Sequence, residues 1–149
     1  MLEQLSLFEK LKSLTTDFNA VTTLKKTEKR TQGDKIEALA CAYLQKHNLI
    51  LLEKNFSTRA GEVDLIMRDK NDVETLIFIE VRYRKNQDFG GAVGSVTTKK
   101  QQRIIKAALA YQQQNAPQSS MRFDVIAVEG DNSDNNMKID WIKSAFDGF

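Results

Sequence analysis

Gly61-Glu62-Val63-Asp64-Leu65-Ile66 and Leu76-Ile77-Phe78-Ile79-Glu80-Val81-Arg82-Tyr83-Arg84 decide the reading of this chain. Both stretches have the apolar content and length of short strands. A polar turn, Asp69 to Asp72, separates them, so they are expected to lie side by side. Alternation along a strand puts Glu62, Asp64 and Ile66 on one face, and Leu76, Phe78, Glu80, Arg82 and Arg84 on one face of the next. A carboxylate inside so apolar a run as Ile79-Glu80-Val81 loses its hydration. It is tolerated only beside a cation, a proton or several donors. Two acids brought together by neighbouring strands suit a divalent metal, and the arginines two and four positions after Glu80 suit a phosphate.

Outward from this pair, the elements alternate. Asp34 is expected to cap a helix running to about His47, with Ile36, Leu39, Ala40, Tyr43 and Leu44 as its buried stripe. Glu37 falls at the edge of that stripe, next to Leu44, and Asn48 marks the end. Leu49 to Phe56 reads as the first strand, Glu62 to Met67 as the second and Thr75 to Tyr83 as the third. Thr98-Lys99-Lys100-Gln101 fits a capping box that opens a second helix to about Gln114. Ile104, Ile105 and Ala108 form its apolar stripe, with Gln101 on the same side. After Pro117, Arg122 to Val128 and Lys138 to Ile142 read as strands, and Ala145-Phe146 as a closing helical turn. Helix, three strands, helix, two strands is the order of an α/β fold with a central mixed sheet flanked by helices. Residues 1–32 read as an N-terminal extension, partly helical or disordered, with Leu2, Leu5, Phe8 and Leu11 at helical spacing. The folded domain is expected over 33–149.

Composition narrows the chemistry. The chain has 149 residues, one cysteine and one histidine. Cys41 on a helix reads as a small buried hydrophobe, and a single cysteine excludes a disulfide framework and Cys-rich zinc sites. His47 alone argues against His-based zinc sites and Ser-His-Asp triads. No apolar run approaches the roughly 20 residues of a membrane span, and the first residues lack the apolar core of a secretory signal. A cytoplasmic location is the expectation. The glycine-rich stretch Phe89 to Gly94 lacks the lysine and hydroxyl of a nucleotide-binding loop.

Charge is uneven. The net charge is +2, yet Arg82, Arg84, Lys85, Lys99, Lys100, Arg103 and Lys106 are opposed within their segment only by Asp88, a local excess of +6. Lysines on a helix are commonly just a solvated face. Beside Asp64 and Glu80, the same segment points to a polyanion, most simply nucleic acid. Glu62 is open to two roles, a further ligand or a surface ion pair.

The ordered set Gly33, Glu37, Ala40, Tyr43-Leu44, Asn55, Gly61-Glu62-Val63-Asp64-Leu65-Ile66, Phe78-Ile79-Glu80-Val81-Arg82-Tyr83-Arg84, Gly90, Lys100-Gln101-Gln102-Arg103-Ile104 and Arg122-Phe123-Asp124-Val125, with Ala145-Phe146 at the end, resembles the YraN family of small bacterial proteins. That family is similar to the restriction-endonuclease-like superfamily and to archaeal Holliday-junction resolvases. The resemblance implies an endonuclease-like domain over 33–149. It implies Glu37, Asp64 and Glu80 as ligands of Mg2+ or Mn2+, with Arg82 where the superfamily has a catalytic lysine. It also implies a role in DNA repair or recombination and, by analogy with resolvases, a homodimer. Arg84, Lys99, Lys100, Gln101 and Arg103 would then hold the nucleic-acid backbone. Arginine keeps a lysine's charge but cannot release its proton; Lys99 or Lys100 is placed to supply what Arg82 cannot. Three function classes follow: a metal-dependent endonuclease, a catalytically silent nucleic-acid-binding module, and a protein-interaction module.

Overall fold

The computed structural model describes residues 7–85, 94–131 and 136–148, with side chains from residue 22 onward. Leu2, Leu5 and the side chains of Phe8 and Leu11 lie outside the described residues, as do Phe89 to Val93 of the glycine-rich stretch. The chain divides into two compact units, 1–35 and 36–149.

Helix α1 runs from Leu7 to Lys46 without a break. Asp34 is therefore not the N-cap that the sequence suggests. Residues 22–35 contain no proline, and extending an existing helix costs far less than starting one. The hydroxyls of Thr27 and Thr31 turn back onto the carbonyls of Thr23 and Thr27, both at 2.9 Å, so neither competes to end the helix. Among the described residues, Ile36 is the first core side chain. The buried stripe is Ile36, Ala40, Cys41 and Leu44, while Leu39 is exposed. A stripe centred on Ala40 and Leu44 turns Cys41 inward and Leu39 out. α1 ends where expected: Asn48, at φ 68, takes the left-handed conformation that stops a helix.

Five strands form one sheet in the order β1-β2-β3-β4-β5: Leu49–Ser57, Glu62–Asp69, Asp72–Arg84, Ser120–Glu129 and Lys138–Phe146. Neighbours are antiparallel except β3 and β4, which are parallel. Parallel neighbours need a crossover, and helix α2, Thr98–Asn115, supplies it. Thr97 is its cap, one residue before the expected box, and its Oγ1 accepts from Lys100 N at 3.2 Å. The two helices cover opposite faces. Leu65, Met67, Ile77 and Ile79 pack with α1, whereas Ile66, Leu76, Phe78 and Val125 pack with Ile104, Ala107, Ala108 and Tyr111 of α2. This is a restriction-endonuclease-like core. No helix among the described residues is long and apolar enough to cross a membrane.

Ala145-Phe146 is not a helical turn. β5 continues to Phe146, which pairs with Phe123 and stacks on its ring at 5.2 Å. The register slips between Phe123 and Val125 because Ser144, at φ 50, bulges and points its N–H at Asp124. Asp124 is fully buried and accepts four hydrogen bonds, from Arg122 Nε and Nη2, Trp141 Nε1 and Ser144 N, at 2.8 to 3.0 Å. It ties β4 to β5. Asp124→Ala strands the guanidinium, the indole N–H and a backbone N–H together, and is expected to cost about 3–5 kcal/mol. Denaturant unfolding checks this; a loss below about 1 kcal/mol would remove Asp124 as the tie.

Candidate functional site

The hydrogen-bonded ladder between β2 and β3 starts at the rung Leu65–Ile79. Asp64 and Glu80 are the next residues outward, just where the strands stop pairing. Val81 N–H, which lacks a backbone acceptor across the gap, donates instead to Asp64 Oδ2 at 2.8 Å. Strand alternation turns both acids toward the α2 side. The two acids are thus brought together, as the sequence predicts.

Glu80 is 3% exposed. Two cations meet its Oε1: Lys100 Nζ at 3.5 Å and Arg82 Nη1 at 3.6 Å. Its Oε2 is buried with no hydrogen-bond partner. Burial, first, and the charge of Asp64, second, push Glu80 up to about 7, against the pull of Lys100 and Arg82. Asp64 is also raised, chiefly by burial, while Val81 N–H and Lys100 oppose the shift. Burial thus disfavours the charge on both acids, and the charge of Asp64 disfavours it further on Glu80. Full ionisation of such a pair is costly, and a hard cation is a natural partner for it.

Lys100 reaches this site from the first turn of α2. Its ammonium also lies 3.7 Å from Glu62 Oε1 at the exposed rim. Glu62 therefore takes the ion-pair role. Arg82 shares the strand face of Glu80, but its short bonds go elsewhere: Nη2 to Ser95 O at 2.6 Å and Nε to Ser95 Oγ at 3.2 Å. Its fork grips the approach to α2, with only Nη1 turned to Glu80. Glu37 sits half-buried on α1, the helix of the opposite sheet face. Among the described residues, no group of three or more His, Cys, Asp or Glu is arranged for a metal. Lys99 and Arg103 are exposed on α2, and Arg84 is half-buried beyond Arg82 on β3. Gln101 directs its amide into the fold, donating to Val96 O at 3.0 Å.

Sequence reasoning overlooked Ser95 and the tight role of Gly61. Nothing local singles out Ser95, because its partner is 13 residues away. Gly61 carries a readable signal: it is a glycine at the foot of a strand, immediately before Glu62.

The titration of Glu80 has a stability consequence. Unfolded, it titrates near 4.5; folded, near 7, so the folded state holds the proton more tightly. Stability linked to this group is full below the lower value and is lost as pH rises through the higher one. The limit is about 3 kcal/mol. In chelator, Glu80→Gln, which mimics the protonated form, is expected to melt above wild type at about pH 8, with the gap closing toward pH 5. Equal melting temperatures across that range would mean Glu80 is unstrained.

A profile described as "Uncharacterised protein family UPF0102" matches residues 36–128. A UPF0102 protein of Nitrosococcus oceani is 42% identical over 125 residues, 83% of this chain and 97% of its own length. One from Nitrosomonas europaea is 43% identical over 116 residues, covering 78% and 93%. One from Photobacterium profundum is 42% identical over 116 residues, covering 76% and 87%. The match spans the sheet from β1 to most of β4, both acids and α2, and the chain belongs to the UPF0102, or YraN, family.

Proposed function

We propose that this protein is a divalent-metal-dependent endonuclease that recognises branched or otherwise structured DNA through its backbone, with a place in repair or recombination. The observation that carries the reading is Glu80 Oε2, a buried carboxylate oxygen without a partner, on a residue paired with Asp64 and pushed up to about 7. A purely structural acid in such a setting would resemble Asp124, with donors on both oxygens.

The donor set fits Mg2+ or Mn2+. Magnesium commonly takes one or two protein carboxylates and fills its remaining positions with water and substrate phosphate. Asp64 and Glu80 would hold the ion. When bound, it supplies an activated water and stabilises charge on the phosphate. Lys100 has the properties that Arg82 lacks. Its ammonium stands beside Glu80, is partly open to solvent and sits on a flexible stem as a compact point charge. The role of the superfamily lysine therefore falls to Lys100. Lys99 and Arg103, exposed on the same helix, meet the backbone; such contacts fix register and read no bases.

The departure at residue 82 supports a second reading, in which the fold binds nucleic acid without cutting it. A cleavage assay separates the two, using four-way junction, flap and single-stranded substrates with Mg2+ and with Mn2+. The expected result is cleavage by wild type and background levels for Asp64→Asn and Glu80→Gln, both folded and both still binding. Cleavage surviving in both variants would remove the site. No cleavage on any substrate, with binding retained, selects the silent module.

Backbone recognition has its own signature. Replacing Lys99 and Arg103 together with alanine is expected to weaken binding for all sequences alike and to reduce the salt slope by about 2. A fluorescence titration across salt concentrations measures it. An affinity indifferent to salt, or one that follows base sequence, contradicts this mode.

A further inference from the structure

The N-terminal end of α2 is held from two sides. On one side Arg82 closes its planar fork on Ser95, through Nη2 to the carbonyl at 2.6 Å and Nε to the hydroxyl at 3.2 Å. Two residues later Thr97 caps the helix and takes Lys100 N–H. On the other side lies Gly61. A Cβ there would stand 1.9 Å from Arg103 O, a backbone atom that cannot swing aside. Thr58 fixes Gly61 in this position: its N–H donates to Gly61 O at 2.8 Å, and its Oγ1 accepts from Gly61 N at 3.2 Å. Lys100 falls between the two grips, five residues after Ser95 and three before Arg103, within one helical turn of the latter.

We infer that Arg82 and Gly61 are positioning residues, which act through Lys100 by setting how closely the first turn of α2 approaches Glu80. Arg82's contact with Glu80 is the long one, at 3.6 Å, while both of its close hydrogen bonds go to Ser95. A lysine would keep the charge near Glu80 but has no planar fork with which to hold a carbonyl and a hydroxyl together. Any side chain at Gly61 forces α2 outward by more than about 1 Å to reach ordinary contact distance. Lys100 Nζ lies 3.5 Å from Glu80 Oε1, and a shift of that size breaks the pair. Residue 82 is therefore arginine because its work is to place a lysine. The importance of Lys100 to cleavage rests on the proposed function; its placement does not.

The test is a double-mutant cycle between Lys100→Met and Glu80→Gln, read as melting temperature in chelator without nucleic acid. It is built on three backgrounds: wild type, Arg82→Lys and Gly61→Ala. In wild type the two substitutions are expected to be coupled, with a combined shift a few degrees away from the sum of the single shifts. In both other backgrounds the coupling is expected to vanish. Arg82→Lys keeps the charge and loses only the fork, so full coupling in that background overturns the inference. Absence of coupling in wild type overturns it too, since nothing is then being positioned. If Gly61→Ala does not fold, Arg82→Lys carries the test alone. Single-turnover cleavage adds a second reading: Arg82→Lys slows the cleavage step and leaves DNA affinity unchanged. If coupling is lost as expected and no form cleaves DNA, positioning stands and the nuclease reading falls. If wild type cleaves and coupling persists in Arg82→Lys, the reverse holds.

Discussion

The parallel pairing of β3 with β4 is the constraint from which the site follows. Two parallel neighbours cannot be joined by a hairpin, so the chain must leave the end of β3, cross one face of the sheet and return. α2 makes that crossing, and it covers the face that carries Leu76, Phe78 and Glu80. Its first turn comes down beside the last inward carboxylate of β3. Burial of Glu80, the approach of Lys100 and the grip of Arg82 on Ser95 are all results of this one connection.

Two buried acids in the same sheet show how burial alone does not define a role. Asp124 and Glu80 are almost equally hidden from solvent. Asp124 has an arginine fork, an indole and a backbone N–H on its two oxygens, and its charge is fully accommodated. Glu80 has two cations at a distance on one oxygen and nothing on the other. The first arrangement is an anchor between β4 and β5. The second is an electrostatic debt that a proton meets near neutral pH, and that a hard cation with its bound phosphate would meet better. Raised carboxylates with a specific charge partner are the general mark of functional sites, and here the partner geometry strengthens that inference.

Arginine and lysine divide one task between them. Near the carboxylates the fold places a compact point charge, and beneath the start of α2 a rigid fork. Lysine serves the first purpose and arginine the second. Residue 82 lies close enough to Glu80 for either, yet its bonds to Ser95 commit it to the fork, and Lys100 occupies the other position from the facing helix.

Short-range pattern was enough for the order of elements, the strand faces of Asp64 and Glu80, and the end of α1 at Asn48. These depend on strand alternation, helical period and a residue that tolerates positive φ, all of which are local. The family resemblance was legible for the same reason, since its motifs are contiguous stretches. What the sequence could not decide were the contacts made across the fold. Asp34 reads as a cap in isolation, but α1 runs through it because a packed helix propagates upstream without a new nucleus. Ala145-Phe146 reads as a turn, but Phe123 on β4 draws it into the sheet. Glu37 reads as a third ligand by analogy, but α1 packs on the face away from Asp64 and Glu80. Lys100 was one of several lysines until α2 was laid across β3, and the partner that Gly61 must admit became known only when Arg103 O came to rest against it. The sequence by itself determined which residues carry charge and which face of each strand they take; only the tertiary structure decided which charges meet, because that depends on a crossover joining residues far apart in the chain.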